Sequence, residues 1–171
     1  MKGLPRSLAH GPASRAEIVK AVIPFAVGLV SSGATGVGFG TTPIAGLPEG
    51  NILVVGAVAY AQISKDTVLG AAGTLDAFTG SYSIGSSATA DATLATTEID
   101  VIAAQATAAA TAGVSPVTRG VGVAQSVIDN TDSSKVLNLN VLLDDASVSA
   151  DTQHLKVSGT LYLAYIVLGD D

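Results

Sequence analysis

Cysteine is absent from the 171 residues, which excludes a disulfide framework and any thiolate metal site. Tryptophan is absent too, methionine occurs once, and aromatic residues make up only 4% of the chain. The 48% hydrophobic share is therefore carried by Ala, Val, Leu and Ile. Small and β-branched residues, mixed with 19 glycines, suit many short strands joined by tight turns. Charge is scarce as well, at 13% of residues against the roughly 25% typical of soluble domains. So little charge solvates a surface poorly, and it points to a surface partly covered by partners. The histidines, His10 and His154, lie in weakly patterned surroundings. A ligand or a catalytic base needs convergent partners, so each reads as a surface or interface histidine.

Reactive motifs are equally scarce. Gly33 to Gly40 is glycine-rich, but it lacks the Gly-Lys-Ser/Thr ending of a phosphate loop. Thr41-Thr42-Pro43 follows it where a dinucleotide fingerprint needs a helix, so a flexible loop or a bulged strand is expected. There is no Gly-x-Ser-x-Gly elbow and no His-Glu-x-x-His pair, which argues against a hydrolase. Asp129, Asp132, Asp144, Asp145 and Asp151 fall outside the twelve-residue calcium-loop spacing and read as turn formers. No catalytic residue, metal site or cofactor is expected. The apolar run Ala21 to Val30 has about ten residues, against the roughly 20 that a membrane helix needs. As a secretory signal it is preceded by too long a basic region, which contains Glu17, and it is interrupted by Pro24.

What is present is strand pattern. Val136 to Leu143 alternates apolar and polar residues, the period of a half-buried strand. Leu155 to Leu168 begins the same way and then turns apolar on both faces. Such a strand is normally covered on both sides, by a second layer or by another subunit. The Asp/Ser/Ala-rich link Asp144 to His154 reads as a loop, so the two strands are expected to form an antiparallel pair that closes a β-sandwich. Ala21 to Val30 reads as a first strand, and Pro24 places it at a sheet edge because proline cannot donate to the ladder. Leu47-Pro48-Glu49-Gly50 is a turn launching a strand over Asn51 to Ser64, and Gly80 to Gly85 is a short alternating strand. Ser86 to Thr97 reads as loop. Over Glu98 to Ala112, Ile99, Ile102, Ala103, Ala106 and Ala110 recur at helical spacing, with Thr97 as a possible cap and Gly113 as a stop. That favours a short helix over 98–112, against a strand reading to which Thr107 and Thr111 lend some support. Val114 to Ile128 suits one or two irregular strands, and Asp129 to Ser134 a polar turn.

Charge is unevenly spread. Residues 1–20 hold Lys2, Arg6, Arg15 and Lys20 against Glu17 alone, a net +3 in a chain of −6, so the remainder carries −9. With Pro5, Gly11 and Pro12 this stretch reads as an extended basic arm suited to docking on an acidic surface. Four spaced cations without interleaved aromatics make a poor nucleic-acid site.

The order of segments resembles the head decoration (cement) proteins of tailed bacteriophages. The resemblance rests on Leu47-Pro48-Glu49-Gly50 before an apolar strand, the run Tyr82 to Leu94, and Thr97-Glu98-Ile99-Asp100. It continues through the Asn/Asp turn, Leu137-Asn138-Leu139-Asn140-Val141, Val157 to Leu163 and the closing Leu168-Gly169-Asp170-Asp171. It covers residues 47–171 and leaves 1–46 outside. It implies an all-β, jelly-roll-like antiparallel sandwich over 47–171, with 1–46 as an N-terminal arm and first edge strand. It further implies a homotrimer bound to the major capsid protein on the outer surface of the virion, with no role for nucleic acid or membrane. On that reading Lys2, Arg6, Arg15 and Lys20 contact the capsid or a neighbouring subunit. The alternative from another class is a glycan-binding β-sandwich. Sugar sites want exposed aromatic platforms, and Tyr60, Tyr82, Tyr162, Tyr165, Phe25, Phe39 and Phe78 are the chain's only aromatics.

Overall fold

The computed structural model describes residues 19–31, 38–65, 77–89, 91, 93–123, 125–143 and 153–169. The described elements are strands, apart from one 3-10 turn at Thr96–Glu98. In chain order the strands are β1 (Val19–Ser31), β2 (Gly38–Gly46), β3 (Gly50–Lys65), β4 (Gly80–Gly85) and β5 (Ile102–Thr107). They continue with β6 (Thr118–Val121), β7 (Val127–Asn130), β8 (Val136–Leu143) and β9 (Gln153–Gly169). All named pairings are antiparallel.

One sheet runs β1-β9-β3-β6, with β7 also on β3; the other runs β2-β8-β4-β5. β6 pairs Val58 to Ala61 of β3 and β7 pairs Gly50 to Leu53, so the two short strands occupy successive halves of one strand position. With that position counted once, each sheet has four strands, and the interleaving of early and late strands is that of a jelly roll. The expectation of an all-β sandwich holds.

Edge placement follows from proline chemistry. Pro24 lies in β1, opposite Thr160, at the outer edge of the first sheet. Pro43 lies in β2, at the edge of the second, where the register shifts between Pro43 and Ala45. An edge strand has one side without a ladder partner, which is where proline is tolerated in a sheet.

The core lies between the sheets, where period-two alternation sends every second side chain inward. Ile52, Val54, Ala59, Ala61 and Ile63 of β3 and Leu161 and Leu163 of β9 meet Leu137, Leu139, Val141 and Leu143 of β8 and Ile84 of β4. Tyr82 of β4 crosses this layer. Its hydroxyl lies 3.0 Å from the Thr118 carbonyl oxygen and 3.3 Å from that of Ala59, both on the opposite sheet. Burial pushes the phenol up to about 12, partly offset by a hydrogen bond from the Gly120 N–H. Gly120 leaves the room for this. A Cβ there would stand 2.6 Å from the Tyr82 oxygen and 2.7 Å from Ile102 Cγ2.

Two expectations are corrected. The 98–112 segment is not helical: Ile102–Thr107 forms β5, paired with β4 through Gly80↔Thr107, Ser81↔Ala106 and Ile84↔Ile102. Ladder bonds to β4 and the burial of Ile102 and Thr107 outweigh alanine's helical preference, the strongest of any residue but worth less than about 1 kcal/mol at each position. Nor do the last two strong strands pair with each other. β8 lies between β2 and β4, while β9 lies between β1 and β3, in the other sheet. Their connection, 144–152, is outside the described residues.

Tyr82→Phe removes the hydroxyl whose single proton is shared between the Thr118 and Ala59 carbonyls across the core. It should cost about 1–2 kcal/mol, a Tm fall of roughly 2–8 °C at this chain length, measured by circular dichroism. An unchanged Tm would show that the cross-sheet bond adds nothing.

Candidate interaction surface

A two-layer sandwich has two outward faces, and here they are finished differently. On the β2-β8-β4-β5 sheet, Asn138 and Asn140 of β8 and Ser83 of β4 point away from the core, yet all three are buried. Described residues between Ser86 and Val101 lie over Asn140 and Ser83. Asn140 Nδ2 donates to the carbonyls of Ser87 (3.0 Å) and Glu98 (3.1 Å), and its Oδ1 accepts from Thr89 N (2.9 Å) and Thr41 Oγ1 (2.8 Å). The Ser83 hydroxyl donates to the Glu98 carbonyl at 2.8 Å. Gly85 permits the approach, since a Cβ there would collide with the Thr97 and Glu98 backbone. Asp100 closes the segment by accepting from Ser86 N (2.9 Å) and Ser86 Oγ (2.6 Å). Burial raises the Asp100 carboxyl above its ordinary value, against the lowering effect of those two bonds and of Lys135.

The outer face of the β1-β9-β3-β6/β7 sheet carries no such cover among the described residues. One row crosses it by register: Val22 of β1 opposite Tyr162 of β9, Tyr162 opposite Val58 of β3, and Val58 opposite Val121 of β6. Val22 is 62% exposed, Tyr162 48% and Val121 51%. A second row sets Leu53 of β3 between Ile166 of β9 and Val127 of β7, which is 58% exposed. Between the rows, Gly56 faces Ala164 and contributes no side chain. The result is a groove of about 440 Å³ lined by Val22, Gly56, Val58, Tyr162 and Ala164 among others, almost wholly carbon. Tyr60 packs edge-on against Tyr162, with ring centroids 6.4 Å apart and planes at 87°.

Exposed single hydrophobics are ordinary, but contiguous rows of them mark an interaction surface. The chemistry on offer is contact. Among the described residues, no group of three or more His, Asp or Glu side chains could hold a metal ion, and no helix is long and apolar enough to cross a membrane.

Of the cations singled out from sequence, Lys2, Arg6 and Arg15 lie outside the described residues, and Lys20 stands in β1 opposite Ala164. The surface itself was half signalled: β9 is apolar on both faces over its second half, as its sequence indicates, but among the described residues only one of those faces is covered. Val22, Val58, Val121 and Val127 were not singled out. The signal for them was valine at the outward positions of strands whose inward positions were already apolar.

No family model matches the chain, and no curated protein matches it. Among solved structures it is similar to a chain of the "Structure of infectious bursal disease virus Gx strain", at 13% identity and a TM-score of 0.39. The alignment covers 90% of this chain and 33% of that one, so the chain spans about a third of its neighbour's length. A likeness of that size carries no functional argument.

Two outcomes separate the two faces. Val121→Ser and Val127→Ser remove side chains that bury little within the chain, so each should change unfolding free energy by less than about 0.5 kcal/mol in urea titrations. Asp100 gives a pH signature. Because its folded pKa is raised, its contribution is fully present below the unfolded value near 3.8 and is lost as pH rises through the folded value. Exposed Asp91, Asp129 and Asp132 are lowered by Thr93, Thr131 and Ser134 and act oppositely, losing theirs as pH falls. Comparing the wild-type protein with Asp100→Asn in urea between pH 3 and 6 isolates the Asp100 part. The wild type should lose stability relative to the variant as pH rises, and parallel curves would refute it.

Proposed function

We propose that this chain is a structural virion protein that decorates the outer surface of an icosahedral phage head and cements the junctions between capsomers. The observation that carries this reading is the apolar face of the β1-β9-β3-β6/β7 sheet, uncovered among the described residues, on a molecule whose other outer face is partly covered by its own chain around Ser83 and Asn140. A protein built this way acts by fitting surfaces together. The order of segments over 47–171, which resembles head decoration proteins, narrows the contact reading to a phage head. The jelly roll itself serves viral capsid and lectin domains alike, so the fold alone does not choose between them.

In this proposal the basic arm, with Lys2, Arg6 and Arg15 ahead of β1 and Lys20 at its start, attaches to acidic surface on the major capsid protein. The apolar face meets neighbouring subunits. Many modest contacts, each burying on the order of 1,000 Å², sum through multivalency to resist the pressure of packaged DNA. No cofactor, nucleic acid or reaction has a part in it.

A glycan-binding module is the second reading, and the exposed pair Tyr60 and Tyr162 is the observation that favours it. Against it, the rings meet edge to face and the groove beside them is lined by carbon, whereas a sugar needs hydrogen-bonding groups. Co-sedimentation with heads assembled without this chain tests the proposal. The full chain should saturate the heads, and removing residues 1–18, which precede β1, should weaken binding at least tenfold and flatten its salt dependence. No binding to heads, together with specific hits on a glycan array, would replace the proposal with the lectin reading.

A further inference from the structure

The bare face has a polarity along the strands that its apolar rows conceal. On the flank formed by β7 and β6, the outward residues are, in order, Asp129, Val127, Val121 and Arg119, all exposed. Their partners on β3 are Asn51, Leu53, Val58 and Tyr60. The column therefore reads acid, apolar, apolar, base, and its midpoint falls at the β3 irregularity between Val54 and Gly56. Lys156 of β9, opposite Ser64 and exposed, adds a second cation at the basic end.

We infer that this face binds a second copy of the same chain across a two-fold axis lying perpendicular to the strands. Such an axis reverses the column, so Asp129 of one copy meets Arg119 of the other, and Val127 meets Val121. Every contact occurs twice, as an isologous interface requires. The row Val22, Tyr162, Val58 and Val121 then lies over the partner's row of Leu53, Ile166 and Val127. Two sheets stacked this way keep their strands within about 30° of alignment, an ordinary packing for sheets about 10 Å apart. A shift of one copy along the strands, or a parallel stacking, parts Asp129 from Arg119 and leaves both charges without an opposite partner, so the two-fold arrangement is favoured.

Size is consistent with a real but modest contact. From Asn51 to Tyr60 the patch runs roughly 30 Å along the strands, and four strands give a width of about 15–20 Å. That projects to on the order of 500 Å² per copy, so a dimer buries on the order of 1,000 Å², at the lower bound for a specific interface. The dimer should therefore be concentration-dependent. It is a different assembly from the trimer implied by the resemblance to decoration proteins, and it does not rest on attachment to a phage head.

Sedimentation equilibrium of the full chain alone, over a range of concentrations and at low salt, tests it. The wild type should fit a monomer–dimer equilibrium. Arg119→Glu and Asp129→Lys should each raise the dissociation constant about tenfold or more, because each unfavourable contact appears twice, and the double exchange should restore it to within about threefold. Asp129 also accepts hydrogen bonds from Thr131 N and Thr131 Oγ1, so Asp129→Lys is checked for folding by its thermal melt. Val121→Lys, at an exposed position without such bonds, must abolish the dimer whether or not Asp129→Lys folds. A monomer at every concentration, a trimer, or a dimer indifferent to Arg119→Glu and Val121→Lys would overturn the inference. A double exchange that folds but does not restore the dimer would overturn it as well. None of these outcomes bears on head binding, which is read separately by co-sedimentation.

Discussion

Period-two alternation gives each strand of a sandwich one inward and one outward set of side chains, and the outward set must be matched to whatever lies outside it. In this molecule that matching turns on Asn140. Its amide sits on the outward side of β8, fully buried, and uses both donor and acceptor on the Ser86 to Val101 segment and on Thr41. A buried amide without those partners would cost several kcal/mol, so the segment and the strand hold each other in place. Ser83 and Asp100 secure the same segment nearby. The polar outward residues Ser83 and Asn140 of this sheet are thus satisfied by chain.

The other sheet inverts the arrangement. Across the middle of the sheet its outward positions are Leu53, Val58, Val121, Val127, Tyr162 and Ile166, with Tyr60 beside them, and the described chain supplies nothing to lie over them. Water is a poor match for contiguous carbon. Covering this face on association recovers on the order of 25 cal/mol for each Å² removed from solvent, before the entropy of association is subtracted. The same sequence feature therefore has opposite consequences on the two sides: polar outward residues bring in the chain's own loop, and apolar outward residues leave a surface open to another molecule.

How much of this could be read from residues alone depended on whether the deciding interaction was local. The strands at Asn51 to Ser64 and Gly80 to Gly85 were legible because alternation and glycine punctuation are properties of the segment itself. Pro24 marked an edge for an equally local reason, its missing donor. The 98–112 segment failed because its helical spacing of alanines is weaker than the ladder supplied by β4, a partner some 20 residues away. The expected β8–β9 pairing failed because sequence adjacency does not report which sheet a strand joins, and here β8 and β9 go to opposite sheets. The exposed rows were legible only in part. Alternation in β9 breaks down visibly, but whether Val121 faces solvent depends on β6 pairing with β3, which no local pattern encodes.

The charge at the ends of the bare face is what gives it direction. A uniformly apolar patch would accept a partner in many registers and invite open-ended association, the hazard that flat, sticky sheets carry. Asp129 at one end and Arg119 at the other make registers unequal, since sliding or inverting the partner parts the opposite charges. A single exposed ion pair contributes little to affinity, but losing both symmetry-related pairs at once sets one register apart from the alternatives. The apolar rows and the charged ends therefore have separate physical tasks, one providing the free energy of contact and the other selecting which contact forms. For a protein whose described residues offer contact rather than reaction chemistry, that division is what turns an exposed sheet into a specific one.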